Sequence, residues 1–317
     1  MGKIYFGKIM KVIIFILFFI SLSNAQDWAG FSGGFLRMGM TSRSQAMGGG
    51  FTADIDHGFA VFHNPAWAAF LIEREVGFTY SNMTLDRRIA ATSIAFPLPP
   101  TAGLGLSLIN SGVTNIQGRT SAGEETEVMQ TGEYAFMVTF AIRVLPWLSF
   151  GSNIKILRNE LPITLDDQLT GSGIGFDIGF LIKTGESNTI GIMVQDMSSN
   201  YQWNTNDVFS MGSPYKDEFP TIYKIGSRAE FDGLLLVGDI GIITDHDTYM
   251  GFLPRAGLEY ALQDQYKIRG GFGNNRIGFG FGYQYEMIRP FDSYLDYSYS
   301  IDWASQGAHT ISYAFRF

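Results

Sequence analysis

The chain has no cysteine, which excludes a disulfide framework, a thiolate nucleophile and thiolate metal ligands. Proline is sparse, ten in 317 residues, and histidine sparser still. The four histidines, His57, His63, His246 and His309, are the only side chains whose ordinary pKa suits acid-base work near neutral pH. No spacing of Ser, His and Asp marks a nucleophile, so the chain does not read as an enzyme. Past residue 25 no window holds the roughly 18 uncharged apolar residues of a membrane helix, so any crossing of a bilayer falls to strands. Basic charge is short as well: of 22 Lys and Arg, three stand in the first 25 residues, leaving 19 against 30 acidic residues and arguing against nucleic acid as a partner.

What is abundant is glycine, phenylalanine and tyrosine, at 38, 27 and 15 residues, which suits an all-β protein. The stretch Arg276 to Met287 shows how they are used. Odd positions from Ile277 are apolar or aromatic, and even positions from Gly278 to Glu286 are Gly, Gln or Glu. A strand turns successive side chains to opposite faces, so this segment has one greasy face and one small or polar face. A tilted strand of this length crosses a bilayer core, with the greasy face on lipid and the glycine face on a lumen. Gly270-Gly271-Phe272-Gly273 and Gly278, Gly280 and Gly282 are not a phosphate loop, because no helix follows to receive an anion. They thin the wall from inside so that another segment can approach.

Residues 1–25 read as a secretory leader: Lys3, Lys8 and Lys11, the nine-residue apolar run Val12 to Ile20, then Ser23-Asn24-Ala25. Residues 26–72 do not alternate and hold glycine turns and short helical signals, with Asn64 as an N-cap and Pro65 at the first helical position of a helix through Leu71. We expect a hatch or plug here, built on Phe35, Leu36, Arg43, Asp54, Asp56, Asn64, Pro65 and Trp67, with Phe35, Leu36 or Trp67 packing on the glycine face. His57 beside Asp56 and His63 beside Asn64 read as hydrogen-bonded or surface histidines rather than metal ligands, and no cofactor is expected.

Residues 73–317 alternate with period two, giving about fourteen candidate strands. Arg143, Lys155, Asp177, Lys183 and Asp296 keep to the face opposite the greasy one. Ala90 to Phe96 and Leu234 to Ile243 are apolar on both faces. Short turns such as Leu145-Pro146-Trp147 and Asp232-Gly233 alternate with longer links, Asn110 to Thr131, Asn159 to Gly171, Ser198 to Phe219 and Asp245 to Met250. That rhythm predicts an up-and-down transmembrane antiparallel β-barrel in the outer membrane, with tight periplasmic turns and longer outer loops. Tyr313, Phe315 and Phe317 form an aromatic closing strand of the kind that barrel-insertion machinery reads.

Phe35-Leu36 to Gly39, Arg43 with Ala46-Met47-Gly48-Gly49, Phe51-Thr52-Ala53-Asp54 and Asn64-Pro65-Ala66 resemble the N-terminal signature of the PorV/PorQ family of outer-membrane proteins. Arg255 to Tyr260, Ile268 to Phe272, Leu295 to Tyr299 and Gly307-Ala308-His309-Thr310 with Phe315-Arg316-Phe317 resemble its C-terminal signature. Asn110 to Phe219 matches in pattern alone, and Asp54-Ile55-Asp56 stands where related hatches often read Ala-Asp-Asp-Ala. The resemblance implies a FadL-like barrel with an N-terminal hatch. It also implies a part in type IX secretion, with secretion-apparatus proteins and exported cargo as partners of Asn110 to Thr131 and Ser198 to Phe219. The alternative it leaves open is a FadL-like channel for a hydrophobic small molecule.

Overall fold

The computed structural model describes residues 30–56, 59–163, 167–245, 248–263, 265–273, 275–288, 291–302 and 307–317. The expected leader, together with His57 and His246, lies outside the described residues.

From Glu75 onward the chain is almost wholly strand. In order these are β1 (Glu75–Met83), β2 (Arg87–Leu98), β3 (Ala102–Val113), β4 (Ile116–Arg119), β5 (Glu125–Met129), β6 (Gly132–Leu145), β7 (Leu148–Pro162), β8 (Gln168–Lys183) and β9 (Thr189–Met197). They continue as β10 (Asn200–Asn204), β11 (Pro214–Glu218), β12 (Thr221–Phe231), β13 (Leu234–Asp245), β14 (Thr248–Leu262), β15 (Tyr266–Gly273), β16 (Arg276–Ile288), β17 (Phe291–Asp302) and β18 (Ala308–Arg316). Each wall strand pairs antiparallel with its neighbours, β1 pairs with β18, and β8 pairs with β9. The result is a closed ring of fourteen strands; β4 and β5 form a separate hairpin, and β10 and β11 extend from the ring. Closure leaves the wall without a free edge.

The expected alternation fixes which face is which. Phe136, Phe140, Ile154, Ile156 and Phe176 point outward and are exposed, while Met137, Thr139, Asn153, Lys155 and Asp177 on the same strands point inward and are buried. Cross-strand register lines the outward residues up, as with Phe279 opposite Tyr299 and Phe281 opposite Tyr297. Leaving such side chains in water costs about 1.5–3 kcal/mol each, so the belt belongs in hydrocarbon. Phe315 and Tyr313 lie opposite Val76 and Phe78 at the closing seam, and the Phe315 and Phe317 rings stack at 5.6 Å.

Three expectations are corrected. Asn110 to Thr131 is not one loop: β3 runs on to Val113, and β4 and β5 occupy its middle. Strands β7 and β8 pair from Leu148 with Ile182 up to Pro162 with Gln168, leaving a far shorter link than Asn159 to Gly171. Ser198 to Phe219 contains β10 and β11. Strands β4, β5, β10 and β11 are only four or five residues long, too short for a period-two pattern to stand out from the polar residues around them, and β7 and β8 go on pairing past their greasy stretch.

Candidate functional site

Residues 30–56 and 59–71 fill the bore. A 3-10 turn, Gly34–Arg37, leads to helix α1 (Ser42–Ala46), then helix α2 (Ala60–His63) and a 3-10 helix, Pro65–Phe70. The start of α1 is a capping box, with the Thr41 hydroxyl accepting from Ser44 N at 3.0 Å and the Ser44 hydroxyl accepting from Thr41 N at 3.0 Å. Asn64 caps the last helix as its sequence suggests: Oδ1 accepts from Ala66 N at 3.0 Å. Its Nδ2 donates to Thr52 O at 2.7 Å and to Phe180 O of β8 at 3.1 Å, tying hatch to wall.

The glycine face is the seat of the hatch, though not for the residues expected. A Cβ built on Gly278 would sit 2.1 Å from Gln45 O, and one on Gly257 would sit 2.4 Å from Met47 O. Gln45, Ala46 and Met47 therefore lie on this stripe, where Phe35, Leu36 and Trp67 were expected. Backbone can lie that close to a wall only where the wall has no side chains. Trp67 is buried instead among Val61, Ala95, Ala141 and Leu181, with Pro65 in the same helix beside Gly151. The two strands apolar on both faces are now explained: inward Leu235 and Val237 pack on Met47 and Phe51, and inward Ala95 packs in the Trp67 cluster.

Arg43, Asp54 and Asp56 come together and meet the wall. Arg43 Nη1 lies 2.6 Å from Asp54, Nη2 lies 3.5 Å from Asp56, and Nε lies 3.0 Å from Glu259 of β14. Glu259 also holds Arg269 Nε of β15 at 2.6 Å, and Arg269 Nη1 reaches Asp296 of β17 at 2.5 Å. Arg228 of β12 approaches Asp54 at 3.4 Å. Burial opposes the charge on Arg43, but Asp54, Glu259 and Asp56 together outweigh it and hold the pKa above the usual guanidinium range. Nearby, Thr52 donates to Asp239 of β13 through N at 3.0 Å and Oγ1 at 2.6 Å. Burial, then Lys224, Arg255 and Arg43, lower the His63 imidazole to about 3, keeping it neutral.

Toward the end where β1 finishes, the bore holds an apolar chamber that its own side chains fill. Phe35, Leu36 and Met40 of the hatch face Ile89, Ile109, Met137 and Leu157 of the wall, with Tyr201, Trp203 and Phe219 closing over them. The chain reaches this position because it turns inward past β9, where Asp196 and Ser198 take left-handed φ of 61° and 51°. Strand β10 then crosses the inner face of β8: a Cβ on Gly171 would meet the Trp203 indole at 2.6 Å. This cap rests on the hatch, with Gln195 Nε2 donating to Leu36 O at 3.0 Å and the Phe219 ring against Gly33. At the chamber floor Lys155 is bound by Asp177 at 2.6 Å and also by Asp196. A residual cavity of about 10 Å³ lies between Leu36, Met40, Phe62, Ile109, Met137 and this ionic corner.

Sequence reading placed Lys155, Asp177 and Asp296 on the lumen face but missed their partners, and it missed Arg228, Glu259 and Arg269 altogether. Their signal was available as charge at inward parity on a strand. Among the described residues no cluster of His, Asp and Glu is arranged to hold a metal ion.

No family model matches the chain, and no curated protein matches its sequence. Solved structures do. The chain is similar to the CymD monoaromatic hydrocarbon channel, with a TM-score of 0.63 and 14% identity over 92% of this chain and 99% of that one. It is similar to the P. putida toluene transporter TodX, with a TM-score of 0.61 and 14% identity over 88% and 99%. A Pseudomonas aeruginosa FadL homologue gives a TM-score of 0.61 and 12% identity over 88% and 98%. The fold is therefore that of a FadL-like barrel.

Proposed function

We propose that this chain is an outer-membrane channel that admits a hydrophobic small molecule. The observation that carries this reading is the apolar chamber, walled by Phe35, Leu36, Met40, Ile109 and Met137 and closed by Tyr201, Trp203 and Phe219. Such a lining binds apolar solutes by removing them from water, while the ionic corner at Lys155 supplies orientation. Two neighbours of the same fold, CymD and TodX, are monoaromatic hydrocarbon channels, which supports the same class of solute here. We place the protein in the outer membrane after removal of residues 1–25, inserted by machinery that reads Tyr313, Phe315 and Phe317, with lipid against its belt and no catalytic activity.

The test is uptake of radiolabelled toluene by cells expressing the protein in a host lacking such channels. Expression raises the initial rate several-fold, and Leu36→Arg, which puts a charge in the chamber, returns it to the host's level. Uptake equal to the host's for the unaltered protein would count against the channel. The secretion role implied by the PorV/PorQ resemblance rests on the residues quoted for it. Co-purification of exported proteins with the solubilised barrel would favour that role instead.

A further inference from the structure

A cavity of about 490 Å³ lies between the β4–β5 hairpin and the ends of β2, β6, β7 and β8 that stand beside it. The wall residues that line it, Arg88, Tyr134, Glu160 and Gln168, all have the parity of the lipid-facing side. On β6 Tyr134 is in step with Phe136, on β7 Glu160 is in step with Ile154 and Ile156, and on β8 Gln168 is in step with Ile174 and Phe176. On β2 the exposed Arg88 alternates with inward Ile89. Val128 and Gln130 close the cavity from the hairpin. It therefore lies on the membrane side of the wall, outside the bore.

Cross-strand register shows how the space arises. Arg88 stands opposite Gly112 and Gly132 opposite Glu160, with β3 and β6 paired between them up to Ser111 and Glu133. Two glycines thus stand in the row between Arg88 and Glu160, which at about 4.8 Å per strand spans about 14 Å. The same strands mark its height. Leu108, Phe136 and Ile156 form a cross-strand row of exposed belt residues, and the next lipid-facing row is Asn110, Tyr134 and Arg158. Polar side chains replace apolar ones at one level on neighbouring strands, which is where hydrocarbon gives way to headgroups. Of the charged residues lining the cavity, Glu160 is taken by Arg158 at 2.7 Å, and Arg88 makes no hydrogen bond or ion pair among the described residues. With Arg158 counted, the site keeps one net positive charge.

We infer that this cavity binds the phosphorylated sugar headgroup of an outer-leaflet glycolipid of the lipid A type. Arg88 takes a phosphate through its forked guanidinium donors, Tyr134 offers a ring and Gln130 and Gln168 offer amides to the sugar, and the acyl chains run down over Phe136 and Ile156. The volume falls within the roughly 300–1,000 Å³ of small-molecule sites, which suits a phosphorylated sugar and is far more than a lone ion needs. A solute in the bore does not meet these side chains, because they point away from it. Anionic headgroups stand against whatever the wall presents at this level, and a cation there pairs either with them or with protein. Arg88 has no such protein partner among the described residues. The site rests on the outer-membrane placement proposed above and not on what the channel carries.

The test titrates the purified full mature chain in detergent with lipid A, and separately with lipid A stripped of its phosphates, and reads the bound lipid by native mass spectrometry. One equivalent of lipid A should be held about tenfold or more tightly than the dephosphorylated form, and Arg88→Gln should abolish that difference. Equal retention of the two lipids by the unaltered chain would overturn the site. The difference should survive in Arg119→Gln, which removes an exposed hairpin arginine outside the cavity lining; its loss there would show that overall charge governs retention, and would overturn the site too. Inorganic phosphate at millimolar concentration should leave the lipid in place, and displacement would assign the cavity to free phosphate instead. Because the comparison of the two lipids uses the unaltered chain, a variant that fails to fold leaves the decision intact. The result is independent of toluene uptake, and recovery of the chain in the outer-membrane fraction of expressing cells tests the placement on its own.

Discussion

Replacing Arg43 by Met cuts the hatch's main ionic hold on the wall. The guanidinium is fully buried and bridges Asp54, Asp56 and Glu259. Removing one partner from a buried ion pair costs about 3–5 kcal/mol, mostly because the remaining charge is stranded. Here the stranding is partial, since Glu259 keeps Arg269 at 2.6 Å and Asp54 keeps Arg228 at 3.4 Å. The lower end, about 3 kcal/mol, is therefore expected, and it corresponds to a rise of roughly 100-fold in the undocked population of the hatch. Native-state hydrogen exchange in detergent reads this directly. Amides of residues 42–54 should lose about two orders of magnitude of protection. Those of β6 and β7, which carry none of Arg43's ion-pair partners, should lose none. Arg43→Lys keeps the charge but loses the forked geometry, and should fall between. Unchanged protection over 42–54 would refute the assignment of Arg43 as the hatch anchor. Loss of protection throughout the barrel would refute it too, by showing that the cluster holds the wall rather than the plug.

Other outcomes follow from the same geometry. Gly278→Leu drives a side chain into Gln45 and Ala46, and should unseat the hatch and raise single-channel conductance in a planar bilayer, whereas Phe279→Leu on the outward face should leave conductance unchanged. Deleting residues 26–71 should raise conductance further, and an unchanged value would contradict a plugged bore. His63 has its pKa lowered to about 3 when docked, against about 6.5 when released, so the released hatch takes up a proton that the docked hatch refuses. Docking is then fully stabilised above pH 6.5 and is lost progressively as pH falls toward 3; at pH 5 the undocked fraction should rise about 30-fold, a change absent from His63→Gln. Phe140→Arg places a charge on the lipid-facing belt and should cost up to about 2–4 kcal/mol, read as a lowered midpoint for folding into lipid vesicles, while Phe140→Leu should cost far less.

Much of the wall was legible in the sequence because a membrane strand has a local signature. Arg276 to Met287 reveals both of its faces without reference to any other segment, and so do β6, β7 and β8. The plug was legible as a break in that pattern and as a cap at Asn64, which depends on a few neighbouring residues; the cap at Thr41 went unread. What could not be read is whatever depends on the circumference of the ring. Arg43 meets Glu259 across 216 positions of sequence, and Lys155 of β7 meets Asp196 of β9 across 41. Parity placed Lys155 and Asp177 inside; register around the cylinder decided their partners. Strand β10 was hidden for another reason: Asn200 to Asn204 alternates, but over five residues only, and its aromatic face, Tyr201 and Trp203, turns into the bore over β8 and not to lipid.

The bare inner stripe at Gly257, Gly271 and Gly278 has an implication for evolution and for engineering. Each absent side chain is filled by main chain from one particular stretch, Gln45 to Gly48. Stopper and cylinder are thus cut as a single key and keyhole. Grafting the first segment of a distant relative onto this cylinder would leave grooves with nothing in them and bulges with nowhere to go, so the two pieces must diverge in step or not at all.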